Sequence, residues 1–323
     1  MRHQRRLFAL CAAWLGAVLV CMGPASAADK VHAGKAAGVA WTFTLLDVGV
    51  AQGLFARYGI DLEISNAAGD AKLQQALASQ SLDFGLGSGP SMAFSAKGAP
   101  VIAVAAFAGA PRNIAIMVGD ESPIKTIKDL KGKSVAVTTA GSLTEWLAKQ
   151  ASIQEGLGPD GIKTVALGTM ESSVAALQVH QVDGIVGAVE SGYRLEERHA
   201  GRILTGLEKY APHFITHVIF ARRDLVQNKP DLVARFLKGV FASIAFMKTN
   251  RDKTVAIGAR VLDMSQGAME RTYDYEIAMF SDDGVFDPKA VETLKDSYVA
   301  MGTLPDRPKD EQIFTTQFVP VKP

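Results

Sequence analysis

The stretch "SVAVTTAGSLTEWLAKQ", residues 134–150, contains three kinds of local sequence in succession. A Val-rich apolar run comes first, small hydroxylated residues around Gly141 follow, and an amphipathic segment comes last. Apolar β-branched runs favour strands, and Ser142 with Glu145 fits the S-x-x-E capping box that begins a helix. The stretch therefore predicts a strand over 134–139, a loop and then a helix.

Apolar runs of the same kind alternate with helix-period segments along most of the chain. These runs predict strands at 59–65, 82–87, 100–107, 113–119, 134–139, 162–168, 182–189 and 217–222. Segments such as "AKLQQALASQ" (71–80) and "ESSVAALQVHQ" (171–181) have the apolar spacing of helices and lie between the strands. The alternation predicts an α/β fold with mainly parallel sheets.

The pattern changes after Asp224, where helical segments alone follow. The predicted helices lie at 231–250, 253–264, 266–280 and 288–302. Asp231, directly after Pro230, begins the first of them, and Gly302 fits a C-cap at the end of the last. With 323 residues, 48% of them hydrophobic, the chain can form one large or two medium domains.

The first residues have the composition of an export signal. "MRHQRR" is a basic start, "LFALCAAWLGAVLV" is apolar, and "ASA" at 25–27 is a small-residue cleavage site. They predict a signal peptide, residues 1–27, and a mature chain that begins near Ala28 in the periplasm. A membrane anchor is the alternative, and the cleavage site favours removal. The paired arginines of "RRLFA" match a twin-arginine signal only weakly, so ordinary secretion is favoured.

Cysteine content and charge narrow the function classes. Cys11 and Cys21 both lie within the predicted signal peptide. The mature chain is therefore expected to have no disulfide, thiolate metal site or cysteine nucleophile, and Val20 makes Cys21 a poor lipidation site. The 34 Lys and Arg residues nearly balance 33 Asp and Glu residues, without a basic cluster of the kind that nucleic acids require. DNA and RNA are not expected as partners.

Loops that follow strands are the candidate ligand sites. In open α/β sheets, ligands bind at the carboxyl ends of strands, where helix N-termini favour anions. The loop after 134–139 is such a junction, and a capping box leaves the hydroxyls of Thr139 and Thr144 free. "LDFGLGSGPSMAFSAKG" (82–98) is a second junction with Ser and Gly residues before a helix. Its "GLGSG" is not a dinucleotide fingerprint, because Pro90 stands where the third Gly is required.

A third junction contains aromatic and hydroxylated residues. "AWTFTLLDVGV" places Trp41, Thr42 and Phe43 before a helix. Trp41 and Phe43 alternate as they would in a strand. This alternation predicts that one ring faces a cleft and the other faces the core.

Four stretches, in this order and spacing, resemble a known family. They are "VAQGLFARYGIDLEI" (50–64), "LQQALASQSLDFGLGSGPS" (73–91), "PIKTIKDLKGKSVAV" (123–137) and "AALQVHQVDGIVGAV" (175–189). The chain resembles the solute-binding proteins of ABC importers in the nitrate/sulfonate/taurine and thiamine-precursor-like group. The resemblance covers roughly Val39 to Val226, and each motif alone is weak.

The resemblance implies a type II periplasmic binding fold, in which two α/β lobes close on one solute. The first lobe would comprise 28–113 plus 217–323, and the second 114–216. "NIAIMVG" (113–119) and "THVIFAR" (216–222) would be the crossing strands of the hinge. Such a receptor is a monomer without a cofactor or metal, and it delivers its solute to the permease of an ABC transporter.

The resemblance also implies the position of the ligand, between facing junctions of the two lobes. The ligand-binding residues carried over are Trp41, Thr42, Ser88, Gly89 and Ser91 in the first lobe, and Thr139, Ser142, Leu143 and Thr144 in the second. They predict a small solute with an anionic group. Sulfonate and taurine binders often carry an aromatic residue where this chain has Gly187 and Ala188, which argues against a taurine-like ligand.

Two further residues have alternative interpretations. Glu190 either accepts a hydrogen bond from the ligand or is an acidic residue favoured by a helix N-terminus. His217, with Arg112, either supplies positive charge to the ligand or has a structural role, and a lone His on a strand is more often structural. His213 and His217 could share a strand face, but two ligands without a third make a poor metal site.

The rival function is an enzyme on the same fold, related to thiamine-pyrimidine synthesis. That activity resembles one that depends on a cysteine-rich segment, which the mature chain lacks. No nucleophile is paired with a base by motif either. A sensor lobe of a membrane kinase is a third possibility and would need further domains. The sequence favours a secreted solute receptor.

Overall fold

The computed structural model describes residues 28–323 apart from residues 39, 68 and 141. These residues form two five-stranded mixed sheets with helices packed around each. We call the first sheet and its helices lobe 1 and the second sheet and its helices lobe 2. The predicted signal peptide lies outside the described residues.

The described elements follow one another in α/β alternation, and helices dominate after the last strand. The strands are β1 (Asp29–Lys35), β2 (Ile60–Asn66), β3 (Phe84–Ser88), β4 (Val101–Ala108), β5 (Ile114–Val118), β6 (Ser134–Val137), β7 (Lys163–Ala166), β8 (Gly184–Ala188), β9 (Arg202–Gly206) and β10 (His217–Arg222). The α-helices are α1 (Leu45–Ala51), α2 (Asp70–Ala78), α3 (Ala93–Ala96), α4 (Leu143–Gln154), α5 (Met170–Gln178), α6 (Val189–Glu197), α7 (Arg223–Asn228), α8 (Pro230–Thr249), α9 (Arg251–Leu262), α10 (Gln266–Glu276), α11 (Pro288–Ala300) and α12 (Asp310–Ile313). Short 3-10 helices lie at Trp41–Phe43, Ala56–Tyr58, Gly89–Met92, Ile127–Leu130, Glu208–Tyr210 and Ile277–Met279.

The two sheets have the same topology. The first has the strand order β2-β1-β3-β10-β4, and the second has the order β7-β6-β8-β5-β9. In each sheet the first three strands are parallel, and the fourth position holds an antiparallel strand, β10 or β5. β5 is the first strand after the chain enters lobe 2, and β10 is the first strand after the chain returns to lobe 1. The alternation of strands and helices confirms the predicted α/β fold, but the sheets are mixed rather than mainly parallel, because each has two parallel and two antiparallel pairings.

The chain passes between the lobes twice, at 109–113 and at 207–216. The two crossing segments run side by side, because the Thr216 N–H lies 3.0 Å from the Ala108 carbonyl oxygen and 3.2 Å from that of Gly109. The stretches that were expected to cross the hinge form β5 and β10 instead. Each of these strands hydrogen-bonds to a neighbour on both sides, which keeps it within one sheet.

Most elements lie where the sequence predicts them, and three differ. All eight predicted strands are present, and β10 has the predicted bounds. β1 was missed because "DKVHAGK" is mostly polar, although its Val31 and Ala33 are fully buried. β9 was missed because it is short and only half-buried at the sheet edge. The expected alternation of Trp41 and Phe43 is wrong, since both lie in a 3-10 helix and are buried.

Helix α8 forms the centre of the lobe 1 core. The ring of Phe236 stacks on that of Phe84 with centroids 3.9 Å apart, and it lies 5.7 Å from that of Phe55. Burial of each such ring contributes about 1.5–3 kcal/mol. Pro230 begins α8, and Gly302, with φ of 65°, follows α11 in the left-handed conformation expected after a helix. No helix among the described residues is long and apolar enough to cross a membrane.

Helix α10 contacts both lobes. It packs against α9, which itself contacts α1 and α8 of lobe 1, and it also packs against α6 of lobe 2. The Arg271 guanidinium lies 2.7 Å from the Glu196 carboxylate on α6, and the Tyr275 hydroxyl donates to Glu208 at 2.8 Å. The C-terminal helices therefore bridge the lobes as well as covering the first.

Candidate ligand-binding cleft

The carboxyl ends of the parallel strands in the two sheets face each other. The backbone N–H of Trp41, which follows β1, donates to Oε1 of Glu190, which follows β8, at 2.5 Å. β1 is parallel to β3, and β6 is parallel to β8, so the junctions after all four strands lie at these two edges. We call the region between these two edges the cleft, and it lies at the place where α/β sheets bind ligands.

The first junction buries its side chains. The Trp41 indole is fully buried against Tyr273 and Phe280, with ring centroids 5.8 and 5.3 Å away. Thr42 is also fully buried, and its hydroxyl donates to Glu276 at 3.3 Å and accepts from the Asn113 amide at 3.1 Å. The backbone of this junction, rather than the indole, therefore contacts the other lobe.

The junction after β3 is held by a carboxylate that the sequence analysis missed. Asp70, the first residue of α2, accepts from the Ser88 backbone N–H at 2.9 Å and from the Ser88 hydroxyl at 2.7 Å. The Ser91 hydroxyl donates to the Ser88 carbonyl oxygen at 2.6 Å. Both serines therefore have partners within lobe 1, and only Ser88 is partly exposed.

Gly89 joins this junction to the second crossing segment. Its N–H donates to the Thr216 carbonyl oxygen at 2.8 Å, and its carbonyl oxygen accepts from the Tyr298 hydroxyl at 3.0 Å. A Cβ atom on Gly89 would lie 1.9 Å from the Ile215 carbonyl oxygen, which is far inside van der Waals contact. Only glycine fits here, and its role is close packing of backbone on backbone.

The junction after β6 is stabilised by three hydroxyl groups. The Ser142 hydroxyl accepts from the Glu145 N–H at 3.4 Å, as the predicted cap requires. The Thr144 hydroxyl accepts from the Thr138 N–H at 3.0 Å and lies 2.9 Å from the hydroxyls of Thr138 and Ser142. The expectation that the Thr144 hydroxyl is free is therefore wrong, and Thr138 is a participant that the sequence analysis missed. Thr139 is exposed.

Leu143 begins α4 and is half-buried against the main core. Leu143 lies at the edge of the junction, and its side chain has no polar group. Its side chain therefore offers only apolar contact at this edge.

His217 lies at the base of the cleft and is neutral. Its Nε2 atom lies 2.9 Å from the Asn113 amide nitrogen, and its ring contacts those of Phe43 and Phe107 at 4.7 and 5.6 Å. Burial lowers the pKa of His217 to about 3, and the Gly87 carbonyl opposes that shift only in part. The geometry agrees with the structural alternative, because an uncharged ring supplies no positive charge.

Arg112 and His213 are the other two basic candidates. The Arg112 guanidinium lies 4.8 Å from the Tyr275 ring, and its Nε donates to the Tyr275 carbonyl oxygen at 2.7 Å. His213 is exposed in the segment before β10, so it does not share a strand face with His217. Among the described residues, no group of three or more His, Cys, Asp or Glu side chains is placed to hold a metal ion.

Two buried carboxyl groups lie beside the junction after β1. Glu190 is in the first turn of α6, and Glu276 ends α10. Burial raises the pKa of Glu190 above the ordinary value of 4.5. Burial, followed by the charge of Glu190, raises the pKa of Glu276 well above that value. Glu276 was not singled out from the sequence, because nothing local distinguishes it from exposed acidic residues of the same helix.

An internal correspondence relates the junctions after β3 and β8. "LDFGLGSGPS" (82–91) and "VDGIVGAVES" (182–191) occupy equivalent positions of the two sheets. Asp83 accepts from the His32 N–H at 3.0 Å, and Asp183 accepts from the Ser134 N–H at 2.9 Å. Gly87 and Ser88 correspond to Gly187 and Ala188, and Pro90 corresponds to Glu190. This repeated pattern is the sequence signal from which the equivalence of the junctions after β3 and β8 could have been predicted.

Comparisons with known proteins agree with this architecture. The sequence profile of a family described as NMT1/THI5 like matches residues 42–254, more than half of the chain. The periplasmic aliphatic sulphonate binding protein SsuA from Escherichia coli is similar in structure, with a TM-score of 0.75 and 20% identity over 88% of this chain and 92% of that one. No match was found among curated protein sequences.

Two further solved structures have the same fold. The alkanesulfonate-binding protein SsuA from Xanthomonas axonopodis pv. citri, bound to MOPS, has a TM-score of 0.72 and 20% identity over 86% of this chain and 95% of that one. The desulfurization enzyme DSZB has a TM-score of 0.67 and 14% identity over 90% and 97% of the two chains. The fold is therefore shared by binding proteins and by at least one enzyme.

Proposed function

This chain belongs to the NMT1/THI5-like family, and from that premise we propose that it is a periplasmic receptor that binds one small organic solute between its lobes. The observation that carries the proposal is the pair of sheets with the same topology, whose carboxyl edges face each other across a cleft. Two crossing segments join the lobes, as hinge closure around a ligand requires. The lobes would comprise 28–113 with 217–323 and 114–216.

The solute is proposed to lie among the junctions after β1, β3, β6 and β8. Thr139 is exposed there, and the first turn of the twelve-residue helix α4 presents backbone N–H groups beside Ser142. A helix N-terminus favours an anionic group, so the anion of the solute would be held by lobe 2. Ser88, partly exposed and oriented by Asp70, would contact the solute from lobe 1.

The remaining predicted residues would shape the cleft rather than hydrogen-bond to the solute. Their polar groups have partners within the protein or are buried. They are Trp41, Thr42, Gly89, Ser91, Leu143, Thr144, Glu190 and His217. This division gives few direct polar contacts, which is typical of sites whose specificity comes from a small number of placed groups.

Transport is the process in which such a receptor takes part. The two similar SsuA proteins are described as sulfonate-binding, and the one from Escherichia coli as periplasmic. By analogy, this protein would deliver its solute to the permease of an ABC importer as a monomer, after export and removal of residues 1–27. No cofactor is required for binding and release.

The receptor function is preferred to an enzyme of thiamine-pyrimidine synthesis. The enzyme alternative depends on a cysteine-rich segment, and the chain contains only Cys11 and Cys21, both in the predicted signal peptide. The buried polar groups at the base of the cleft make hydrogen bonds to one another and to the backbone. None of them forms a nucleophile–base pair of the kind that covalent catalysis needs.

The experiment is native mass spectrometry of the exported protein followed by incubation with whatever solute co-purifies. The proposal predicts a one-to-one complex from which the solute is recovered with unchanged mass. Repeated conversion of that solute into a product would show an enzyme. A complex with several unrelated solutes of similar abundance would contradict a dedicated receptor.

A further inference from the structure

Glu190 and Glu276 form a contact that spans the lobes. Glu190 belongs to α6 of lobe 2, and its Oε1 atom accepts from the Trp41 N–H of lobe 1 at 2.5 Å. Glu276 ends α10, and its Oε2 atom accepts from the Thr42 hydroxyl of lobe 1 at 3.3 Å. Only 2% of the Glu190 surface and none of the Glu276 surface is exposed. Opening the cleft must break the Trp41 contact and admit water to both carboxyl groups.

Each of the two carboxyl groups also has one buried oxygen without a hydrogen-bond partner in the described part of the chain. Oε2 of Glu190 and Oε1 of Glu276 have no donor among the described residues. The two side chains lie beside each other, because Glu190 accepts from the Trp41 N–H and Glu276 accepts from the hydroxyl of the adjacent Thr42. An ionised carboxylate has no hydrogen to donate, so two ionised groups would leave both buried oxygens without a partner, whereas a proton on one group allows it to donate to the other. One shared proton satisfies both remaining oxygens.

The charged groups around the pair do not replace that proton. Three arginines lie on the elements around the pair: one on the first crossing segment, one on α6 and one on α10. Within the described residues, they donate hydrogen bonds to groups other than the two carboxyl groups. These are Arg112 to the Tyr275 carbonyl, Arg194 to the Leu262 carbonyl and Arg271 to Glu196. On β10, His217 is neutral, because burial lowers its pKa to about 3. Burial raises the pKa of Tyr193, and the Tyr275 hydroxyl donates to Glu208. Within the described part of the chain, no cation forms a salt bridge with either carboxyl group, and the charges of Arg194 and Arg112 only partly offset the effect of burial on the pKa values of Glu190 and Glu276.

We propose that the Glu190–Glu276 pair is a proton-coupled latch: the lobes bind one proton when they close and release it when they open. The inference concerns closure itself, so it does not depend on which solute binds. It gives the receptor a dependence on pH that neither the fold nor the family requires.

The sign of the pH dependence follows from the two states. In the open state, water restores both carboxyl groups toward their ordinary pKa of 4.5, so both are ionised at neutral pH. In the closed state the pair holds the shared proton, in agreement with the raised direction of both pKa values. The stabilisation of the closed state is complete below the ordinary pKa and is lost as the pH rises through the raised pKa. Between these limits, each pH unit changes the closed-to-open ratio by up to about tenfold for one proton.

The test is energy transfer between dyes on the outer edges of the two sheets, in solute-free exported protein. Asp61→Cys on β2 and Lys163→Cys on β7 supply the attachment sites, because both positions are exposed and Cys11 and Cys21 lie in the predicted signal peptide. The closed fraction should fall as the pH is raised from 5 to 8. A closed fraction that does not change over this range would overturn the latch and leave the receptor function untouched.

A substitution identifies the carboxyl pair as the source. In Glu276→Gln the amide always donates to Glu190, so the closed fraction should be high and independent of pH. Glu270→Gln is the matched control, since Glu270 lies on the same helix and accepts from Gln266 at 3.0 Å. The control should keep the wild-type pH dependence. The same pH dependence in Glu276→Gln as in the wild type would contradict the proposal.

A second measurement covers the case in which Glu276→Gln does not fold. Glu190→Gln keeps an acceptor for the Trp41 N–H and also removes the shared proton, so it should behave in the same way. Infrared spectroscopy of the wild-type protein at pH 7 should show the carbonyl band of a protonated carboxyl group. Absence of that band in the closed protein would overturn the proposal without any variant.

Discussion

The junctions after β3 and β8 occupy equivalent places in the two lobes, yet they are built for different purposes. In lobe 1 the junction is fixed to its own lobe, with Ser88 held by Asp70 and Gly89 packed on the crossing segment. In lobe 2 an Ala stands in place of Ser88, and Glu190 reaches across the cleft to Trp41. The lobe 1 copy of the repeated pattern is therefore held within its own lobe, and we call it the platform. The lobe 2 copy supplies the contact that opening must break.

The residues that pack on Gly87 and Gly187 also differ between the two lobes. Asp70 lies over Gly87, where an added Cβ would be 2.7 Å from its Oδ1 atom. Met170, at the equivalent position of α5, lies over Gly187, where an added Cβ would be 2.3 Å from its Cε atom. A carboxylate fixes the polar junction of lobe 1, while a thioether fills the apolar one of lobe 2.

Gly89→Ala should break the platform and give the largest effect. The new Cβ would collide with the Ile215 carbonyl oxygen and force the crossing segment away from the junction. Overpacking commonly costs about 1–3 kcal/mol, and we expect about 3 kcal/mol or more here because the neighbour is backbone. Urea denaturation measures the loss.

Gly267→Ala is the control for this substitution. Gly267 lies in α10 with no heavy atom within 4 Å of an added Cβ. Its unfolding free energy should change by less than about 1 kcal/mol. Equal losses in the two variants would mean that Gly89 is not a close-packing position.

Asp70→Ala should loosen the platform by a smaller amount. The substitution leaves the Ser88 N–H and hydroxyl without their acceptor, and hydrogen bonds to a charged group contribute about 1.5–3 kcal/mol. Urea denaturation should show a loss in that range. Asp70→Asn keeps one acceptor oxygen and should lose about half as much. A neutral result for Asp70→Ala would show that lobe 1 does not depend on this anchor.

Thr144→Val should have the smallest of the three effects, and its effect should be on lobe 2. It removes the acceptor of the Thr138 N–H, at a cost of about 1–2 kcal/mol for a partly buried neutral hydrogen bond. Solute affinity, measured by calorimetric titration of the co-purified solute, should fall by less than tenfold. Ser88→Ala should lower the solute affinity by a larger factor, because Ser88 is proposed to contact the solute. The reverse order would place the ligand nearer to Thr144 than we propose.

The sequence predicted local structure better than it predicted the site. Apolar runs of β-branched residues placed β10 at its observed bounds, and the Ser142 cap and the Gly302 C-cap are both present. These features depend on near neighbours in the chain. β1 was not predicted, because it forms through pairing with β2 and β3 and its own composition does not favour a strand.

The site depends on contacts between distant residues, which single-sequence patterns do not contain. Glu276 and Glu190 are brought together by the packing of α10 on α6, and Asp70 meets Ser88 through the return of β3 beside β1. The Thr144 hydroxyl was expected to be free because its partner, the Thr138 N–H, becomes available only when the strand ends there. The correspondence between "LDFGLG" and "VDGIVG" is present in the sequence, but the sequence analysis did not use it to relate the two junctions.

Solution scattering of the exported protein, first stripped of its co-purified solute and then resupplied with it, tests the central claim most directly. A solute held by both lobes stabilises the closed arrangement more than the open one. The account predicts that the radius of gyration falls when the solute is added and rises again when it is removed. A scattering profile that is unchanged at saturating solute would contradict binding by closure of the two lobes.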